Sequence, residues 1–196
     1  MKNLLVNLYQ KTSSVLSHSA VLTLIVFLFC LCIGEAWGEN ETATLTFTAK
    51  CNGAGTDDKS HSWTIVSDAS ESTYDASKGI HYGTNDVTVS YVDISTTAIS
   101  YTVSQVVVYA SRGSNTASIS VSVGGTAFKC NNNTTVSLSD TNTGYTFTGS
   151  ASGTVLVHLY KGSATKKAIY CKSVAVTYSA GSTKTLVLLG IGFWVG

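Results

Sequence analysis

Short runs in which apolar and polar residues alternate recur along most of the chain after residue 38. In the run 44–48, Leu45 and Phe47 fall on one face and threonines on the other, and the same alternation recurs at 87–91, 119–123 and 145–148. A period of two predicts β-strands with one buried face and one solvated face. Threonine, valine and tyrosine, which fill these runs, also favour strands.

Two longer apolar runs, 106–109 and 155–160, predict central strands that are covered on both faces. Turn signals rich in glycine and asparagine separate the runs at 52–55, 78–79, 112–115, 124–125, 131–133, 142–144 and 152–153. Strands at this spacing, joined by such turns, indicate an all-β protein. We therefore predict an antiparallel, jelly-roll-like β-sandwich in a single domain over residues 39–180.

A block of fourteen uncharged residues, 20–33, precedes the predicted domain, and the small residues Ala36 and Gly38 follow it. At about 1.5 Å per residue the block is about 21 Å long as a helix, shorter than the ~30 Å core of a bilayer. Residues 1–38 are therefore predicted to be a secretory signal peptide, cleaved after Gly38. An uncleaved membrane anchor is the alternative, and in both cases we expect a secreted or cell-surface protein.

The other end of the chain, 181–196, is predicted to be a short apolar tail. Its ten residues 186–195 carry no charge and are too few to cross a bilayer as a helix. A packed final strand and a truncated continuation into a longer protein both stay open.

The net charge of the predicted domain limits the kinds of molecule that it can be expected to bind. Without Lys2, Lys11 and Glu35, which leave with the predicted signal peptide, the 12 basic and 11 acidic residues of the chain fall to ten of each. A domain with no net charge lacks the electrostatic footprint of a nucleic-acid binder. We therefore expect no nucleic-acid partner, and a membrane contact only if the signal segment stays uncleaved.

Three cysteines, Cys51, Cys130 and Cys171, remain in the predicted domain. At most one pair can form a disulfide. If the terminal strands pair, Cys51 and Cys171 are the expected contact. We nevertheless predict a fold that needs no disulfide, because a domain of this length can bury a sufficient core.

Four stretches resemble a secreted, jelly-roll-like β-sandwich module that recurs in surface and extracellular proteins of gut anaerobic bacteria. They are 45–51, 74–83, the segment 145–153 with its Gly-Ser-Ala-Ser-Gly turn, and the closing segment 167–178. The resemblance covers residues 43–178 and implies a sandwich of the carbohydrate-binding type, often joined to a catalytic or cell-surface domain. It implies no defined set of site residues.

Sugar binding is the sharpest functional hypothesis that the residues themselves offer. An aromatic ring can hold the face of a sugar while nearby polar groups bond its hydroxyls. Trp63, Tyr74 and Tyr82, with Asp75 and Asn85, are the residues that we expect to form such a platform. The alternative for Trp63 and Tyr82 is an inward position in the core.

The sequence offers weaker support for a catalytic site or a metal site. His61, His81 and His158 lack the spacing of a zinc motif, and no G-x-S-x-G nucleophile motif is present. Loop acids leave a structural calcium ion as an alternative; they are Asp57, Asp58, Asp68, Glu71 and Asp75. We expect no catalytic residue and no cofactor beyond that ion.

The sequence therefore predicts a secreted, non-catalytic module that binds carbohydrate or another cell-surface ligand. A structural or adhesive piece of a larger surface protein, with no small ligand, is the alternative. A secreted hydrolase that uses the acidic loops is a weaker alternative.

Overall fold

The computed structural model describes residues 39–51, 53–113 and 116–180, and these ranges consist of strands, turns and irregular connections. Thirteen strands follow one another: β1 (Asn40–Thr46), β2 (Ala54–Thr56), β3 (Ser62–Ser67), β4 (Ser72–Asp75), β5 (Gly79–Tyr82), β6 (Val89–Thr96), β7 (Thr102–Arg112), β8 (Ser118–Val123), β9 (Thr126–Ala127), β10 (Thr135–Ser137), β11 (Thr143–Ala151), β12 (Val155–Thr165) and β13 (Ile169–Ser179). Nowhere in these ranges does a helix offer the length and apolar character needed to cross a membrane. The predicted signal peptide and the predicted apolar tail lie outside the described residues.

The strands form two antiparallel sheets. The first sheet has the order β11-β7-β13-β5-β4, with β1 also paired to β13, and the second has the order β10-β8-β12-β6-β3-β2, with β9 paired to β8. Within them, β1-β13-β7-β11 and β6-β12-β8-β10 are the two layers of an eight-strand jelly roll. The short strands β2 to β5 are inserted between its first two strands. The predicted fold class, an antiparallel jelly-roll-like β-sandwich, is confirmed.

The apolar faces of the alternating runs form the core between the sheets. Leu45 is 2% exposed and Phe147 is fully buried, while the threonines beside them face solvent. Burial of such side chains stabilises the fold by roughly 25 cal/mol for each Å² of apolar surface removed from water. Branched aliphatic side chains from both sheets fill the centre of this core, among them Ile94, Val106, Val108, Ile119, Val157, Leu159, Val174 and Val176.

The two longer apolar runs were predicted to be central strands covered on both faces, and only the first half of that prediction is right. Their strands, β7 and β12, are central because each has a neighbour on both edges. The outer face of each is open, however, since Tyr109 of β7 is 47% exposed and His158 of β12 is partly exposed. Alternation in these strands is masked because valines also occupy outward positions, such as Val107.

Cys51, Cys130 and Cys171 are all buried, and all three are free thiols. The expected contact between Cys51 and Cys171 is therefore not a disulfide. The sheets are held instead by their hydrogen bonds and by the core.

Candidate functional site

The first predicted site residue, Trp63, lies in the core and not on the surface. It is 2% exposed in β3, and its Nε1 donates a hydrogen bond of 2.9 Å to Asp57 Oδ2. Because neither face of the ring is open to solvent, Trp63 cannot serve as a sugar platform. The alternative, an inward core position, is the correct one.

Tyr82 is also a packing residue. It is 6% exposed in β5, and burial raises the pKa of its hydroxyl, with a further contribution from Cys51. Its hydrogen-bond partner is Ser72, which lies opposite it in β4. Its hydroxyl is therefore satisfied inside the domain.

Tyr74 and Asp75 lie in β4, at the edge of the first sheet. Tyr74 is 38% exposed, while the Asp75 carboxylate accepts hydrogen bonds from the hydroxyl and the amide of Ser77 and from the amide of Lys78. These bonds, with that of the Ser77 hydroxyl as the largest contribution, hold the pKa of Asp75 below its usual value. Asp75 therefore shapes the turn that joins β4 to β5.

Asn85, the last predicted residue, lines a surface cavity of about 230 Å³, which we call the β5–β13 pocket. The pocket lies where the end of β5 meets the start of β13. Its walls come from three segments of the chain and consist of His81, Gly83, Thr84, Asn85, Gly113, Lys167, Ala168 and Tyr170. Of the five predicted residues, Asn85 alone is one of these lining residues.

Two backbone features bring the walls of the pocket together. Gly79 has φ of +86°, and a Cβ there would lie 2.1 Å from the carbonyl oxygen of Cys171, so only glycine lets the β4–β5 hairpin pack against β13. Lys167 has φ of 87°, a conformation that costs a non-glycine residue about 1–3 kcal/mol. Such strain persists only where the surroundings hold it.

The surroundings of Lys167 do hold it. Its amide donates to the carbonyl of Thr84 at 2.7 Å, and its own carbonyl accepts a hydrogen bond of 2.5 Å from the ammonium of Lys161. Lys161 is 7% exposed and also donates to the carbonyl of Thr165 at 3.3 Å. Burial lowers the pKa of Lys161, because the charged form loses solvation, while Asp68 acts in the opposite direction.

One wall of the pocket is aromatic. The rings of Tyr170 and His81 lie 4.8 Å apart at an angle of 39°, and the Lys78 ammonium lies 4.8 Å from the centre of the Tyr170 ring. Burial raises the pKa of Tyr170, and the negative charge of Asp75 adds to this effect. The wall thus presents a neutral phenol beside an imidazole.

Polar groups lie beside this aromatic wall. The Lys167 ammonium donates a hydrogen bond of 2.7 Å to Asn85 Oδ1, and His81 Nδ1 lies 3.0 Å from the hydroxyl oxygen of Thr73. An ammonium has three donors, so two of those on Lys167 remain for a ligand. The combination of ring surface with a few placed polar groups is that of a small-molecule site.

A larger cavity of about 460 Å³ lies between the loop after β1 and the loop after β3. Its walls include the ion pair of Lys50 and Glu71, at 4.0 Å, together with Cys51 and Tyr82. The Tyr82 ring is buried, and it is the aromatic ring among the lining residues. This cavity therefore offers less ring surface for stacking than the β5–β13 pocket.

The outer face of the second sheet carries an aromatic stack. His158 lies between Tyr160, 4.6 Å away at 21°, and Tyr91, 6.3 Å away at 30°, and its Nδ1 is hydrogen-bonded to Asp93. Nearly parallel rings at these distances face one another, so much of their ring surface is used within the stack. None of these three rings lines the β5–β13 pocket or the larger cavity.

The loop acids that were considered for calcium or catalysis accept hydrogen bonds from different parts of the domain. Asp57 accepts from Trp63 and His61, Asp58 from the amide of Thr44, and Asp68 from the amide of Ser90. Within the ranges that the structure describes, no three His, Cys, Asp or Glu side chains form a group that could hold a metal ion. In the described part of the chain, these acids thus do not gather into a three-ligand group for calcium.

Comparisons with known proteins give distant structural likenesses. A family two carbohydrate esterase from Cellvibrio japonicus matches 71% of this chain with 12% identity and a TM-score of 0.41, and the match spans about a third (34%) of the esterase. The carbohydrate-binding module CBM36 in complex with calcium and xylotriose matches 58% of this chain and 98% of its own length, with 16% identity and a TM-score of 0.35. The CBM36-1 domain of a multidomain xylanase from the hindgut metagenome of Trinervitermes trinervoides matches 74% of this chain and 100% of its own length, with 12% identity and a TM-score of 0.36.

At TM-scores below 0.5, these likenesses assign neither a family nor a ligand to this chain. No family model matches the chain, and no curated protein matches it in sequence. The function must therefore be argued from the pocket itself.

Of the side chains that give the pocket its aromatic wall and its charge, sequence reasoning missed His81, Lys167 and Tyr170. A signal for Tyr170 was available, because it alternates with the buried Ile169 and Cys171 and so has to face outward. No comparable signal exists for Lys167, whose position depends on contacts with distant parts of the chain.

Proposed function

We propose that this chain is a non-catalytic carbohydrate-binding module that acts outside the cell, and that one sugar unit lies in the β5–β13 pocket. The observation that carries the proposal is the pairing of an aromatic wall, Tyr170 and His81, with the polar groups of Asn85 and Lys167 around one cavity. A volume of about 230 Å³ suits one pyranose ring with its hydroxyls. Sugar C–H groups pack on the rings, and the amide and ammonium bond the hydroxyls.

The absence of turnover is part of this proposal. A glycoside hydrolase needs two carboxylates that face each other across a cleft, about 5–10 Å apart. The residues that line the β5–β13 pocket include no carboxylate. A sugar held there would therefore be bound and released unchanged.

A glycan array followed by calorimetry tests the proposal. We expect the protein, produced from the full chain, to bind a defined set of glycans. Tyr170→Ala should weaken this binding by at least about tenfold, equivalent to about 1.4 kcal/mol. Tyr109→Ala is the matched control, because Tyr109 is an exposed tyrosine on the same sheet and does not line the pocket.

Two outcomes would contradict the proposal. A blank array with a folded protein favours the structural or adhesive piece that the sequence left as an alternative. Cleavage of the bound glycan would support the weaker alternative, a secreted hydrolase.

A further inference from the structure

Three lysines surround the aromatic wall of the β5–β13 pocket, and each has a neutral hydrogen-bond partner. The Lys78 ammonium lies over the Tyr170 ring and 3.4 Å from the carbonyl oxygen of Asp140. Lys167 donates to the side-chain amide oxygen of Asn85, and Lys172 donates to the carbonyl of Ser77 at 3.3 Å. These bonded groups are neutral, and the charge that acts on Lys78 is that of Asp75.

Two other lysines of the domain are arranged differently. Lys50 forms an ion pair with Glu71, and Lys59 forms one with Glu41, each at 4.0 Å. Positive charge is thus balanced by carboxylates at those places. In the lining of the pocket, by contrast, the Lys167 ammonium has no carboxylate beside it.

Asp75 keeps its negative charge and acts on both Lys78 and Tyr170, but it does not line the pocket. The oxygen Oδ1 of Asp75 is occupied by Ser77 and by the amide of Lys78, and Asp86 and Asp140 are exposed residues outside the pocket lining. The lining residues themselves include the Lys167 ammonium and the His81 imidazole, and no carboxylate. A concave wall of one sign of charge focuses the field on a ligand of the opposite sign.

We infer that the sugar unit held in the β5–β13 pocket carries a negative charge, as the carboxylate of a uronic acid or a sulfate ester does. This inference rests on the proposed function and names its ligand class. Lys167 supplies charge-assisted hydrogen bonds to the anionic group, and Lys78 adds a second positive charge across the Tyr170 ring. The strained backbone of Lys167, held by Lys161, keeps the ammonium at the pocket wall before the ligand arrives.

The test compares one sugar in a charged and an uncharged form. Calorimetry with the protein produced from the full chain would measure binding of a galacturonic acid trimer and of its fully methyl-esterified form. A sulfated oligosaccharide and its unsulfated parent form the second pair and distinguish sulfate from carboxylate as the source of charge. We expect the charged member of at least one pair to bind about tenfold tighter, and this preference to fall steeply with salt.

Substitution then locates the preference in the pocket. Lys167→Met should reduce the charged-to-neutral ratio to below about threefold, because the stem remains and the positive charge is lost. The neutral sugar should lose only the bond that the ammonium gives to a hydroxyl, a smaller effect than the loss for the charged sugar. Lys129→Met, at an exposed lysine that does not line the pocket, should leave the ratio unchanged. Equal affinity for charged and neutral sugars in both pairs would overturn the inference but not the proposed function. Failure to bind any glycan would overturn both.

Discussion

The indole Nε1 of Trp63 donates its hydrogen to Asp57 Oδ2 across 2.9 Å, and both side chains are withdrawn from solvent. This bond explains why a tryptophan in an otherwise polar segment is not a surface platform. Asp57 also accepts hydrogen bonds from the amides of Lys59 and His61 and pairs with the His61 ring. The carboxylate therefore organises the turn between β2 and β3 from the inside.

Acid should weaken the domain through Asp57. Burial opposes ionisation of this carboxylate, but hydrogen bonds from Trp63, His61 and Lys59 outweigh burial and hold the pKa of Asp57 below its usual value. A depressed pKa in the folded state stabilises the fold above the unfolded pKa, near 3.9, and this stability is lost as pH falls through the folded pKa. Thermal melts followed by circular dichroism should therefore show a melting temperature that declines below about pH 4.

Asp57→Asn isolates this contribution. At pH 7 we expect the free energy of unfolding to drop by about 1.5–3 kcal/mol, because charge-assisted hydrogen bonds are lost. The difference from the unsubstituted protein should shrink toward pH 3. Asp140→Asn, at an exposed position, is the control. An equal pH dependence in the unsubstituted protein and Asp57→Asn would contradict this account.

We expect Trp63 to contribute to stability and Tyr170 to contribute to sugar binding. Trp63→Phe removes the donor to Asp57 and should cost about 1–3 kcal/mol of unfolding free energy, with unchanged glycan affinity. Tyr170→Ala should weaken glycan binding and leave the unfolding free energy nearly unchanged, because Tyr170 is partly exposed at a pocket wall. Denaturant titration and calorimetry on both variants provide the measurement. Loss of glycan binding in a folded Trp63→Phe protein would show that the site lies elsewhere.

The buried ammonium of Lys161 should control the mobility of the pocket wall. Lys161→Met keeps the apolar stem but leaves the carbonyls of Thr165 and Lys167 without this donor, at a cost of about 1–3 kcal/mol. We expect faster hydrogen exchange at the Lys167 amide, which donates to Thr84, and weaker glycan binding. Exchange at this amide that is as slow as in Lys129→Met would argue against the role of Lys161.

The three thiols of the domain should resist modification. Burial raises the pKa of the Cys171 thiol to about 12, and Cys51 and Cys130 are 8% and 6% exposed. At pH 8 the thiolate of Cys171 is present at roughly one part in ten thousand, so Ellman's reagent should label it slowly or not at all in the folded protein.

Two further measurements complete the thiol prediction. A reducing agent should leave the melting temperature unchanged, because Cys51, Cys130 and Cys171 are free. In guanidinium chloride, three thiols per chain should react if residues 1–38 have been removed, and five if they are retained. A melting temperature that falls on reduction would reveal a disulfide and contradict the prediction.

Local pattern was sufficient for the strands and the fold class but not for the site. Alternation identified Leu45 and Phe147 as core residues, because period two is a property of each strand alone. It also placed Val89 and Tyr91 on one face, and this was wrong. Val89 is buried and Tyr91 faces outward, since the register shifts where β6 meets the end of β12.

The pocket was hidden from the sequence because three distant segments build it. Asn85 and Lys167 are 82 residues apart, and their contact depends on the meeting of β5 with β13. The burial of Trp63 follows the alternation of β3, in which Ile65 is also buried, but its partner Asp57 is one that pattern alone cannot assign. Side chains whose partners are set by tertiary contacts are the ones that periodicity leaves open.

The pairing of Asn40 with Ser179 has a geometric consequence for the position of the ligand site. The first strand of the described domain thus begins beside the residue at which its last strand ends. Tyr170 lies nine positions earlier on β13, about 30 Å away along the strand at roughly 3.3 Å per residue. The pocket therefore lies toward the end of the domain opposite to the one at which Asn40 and Ser179 pair.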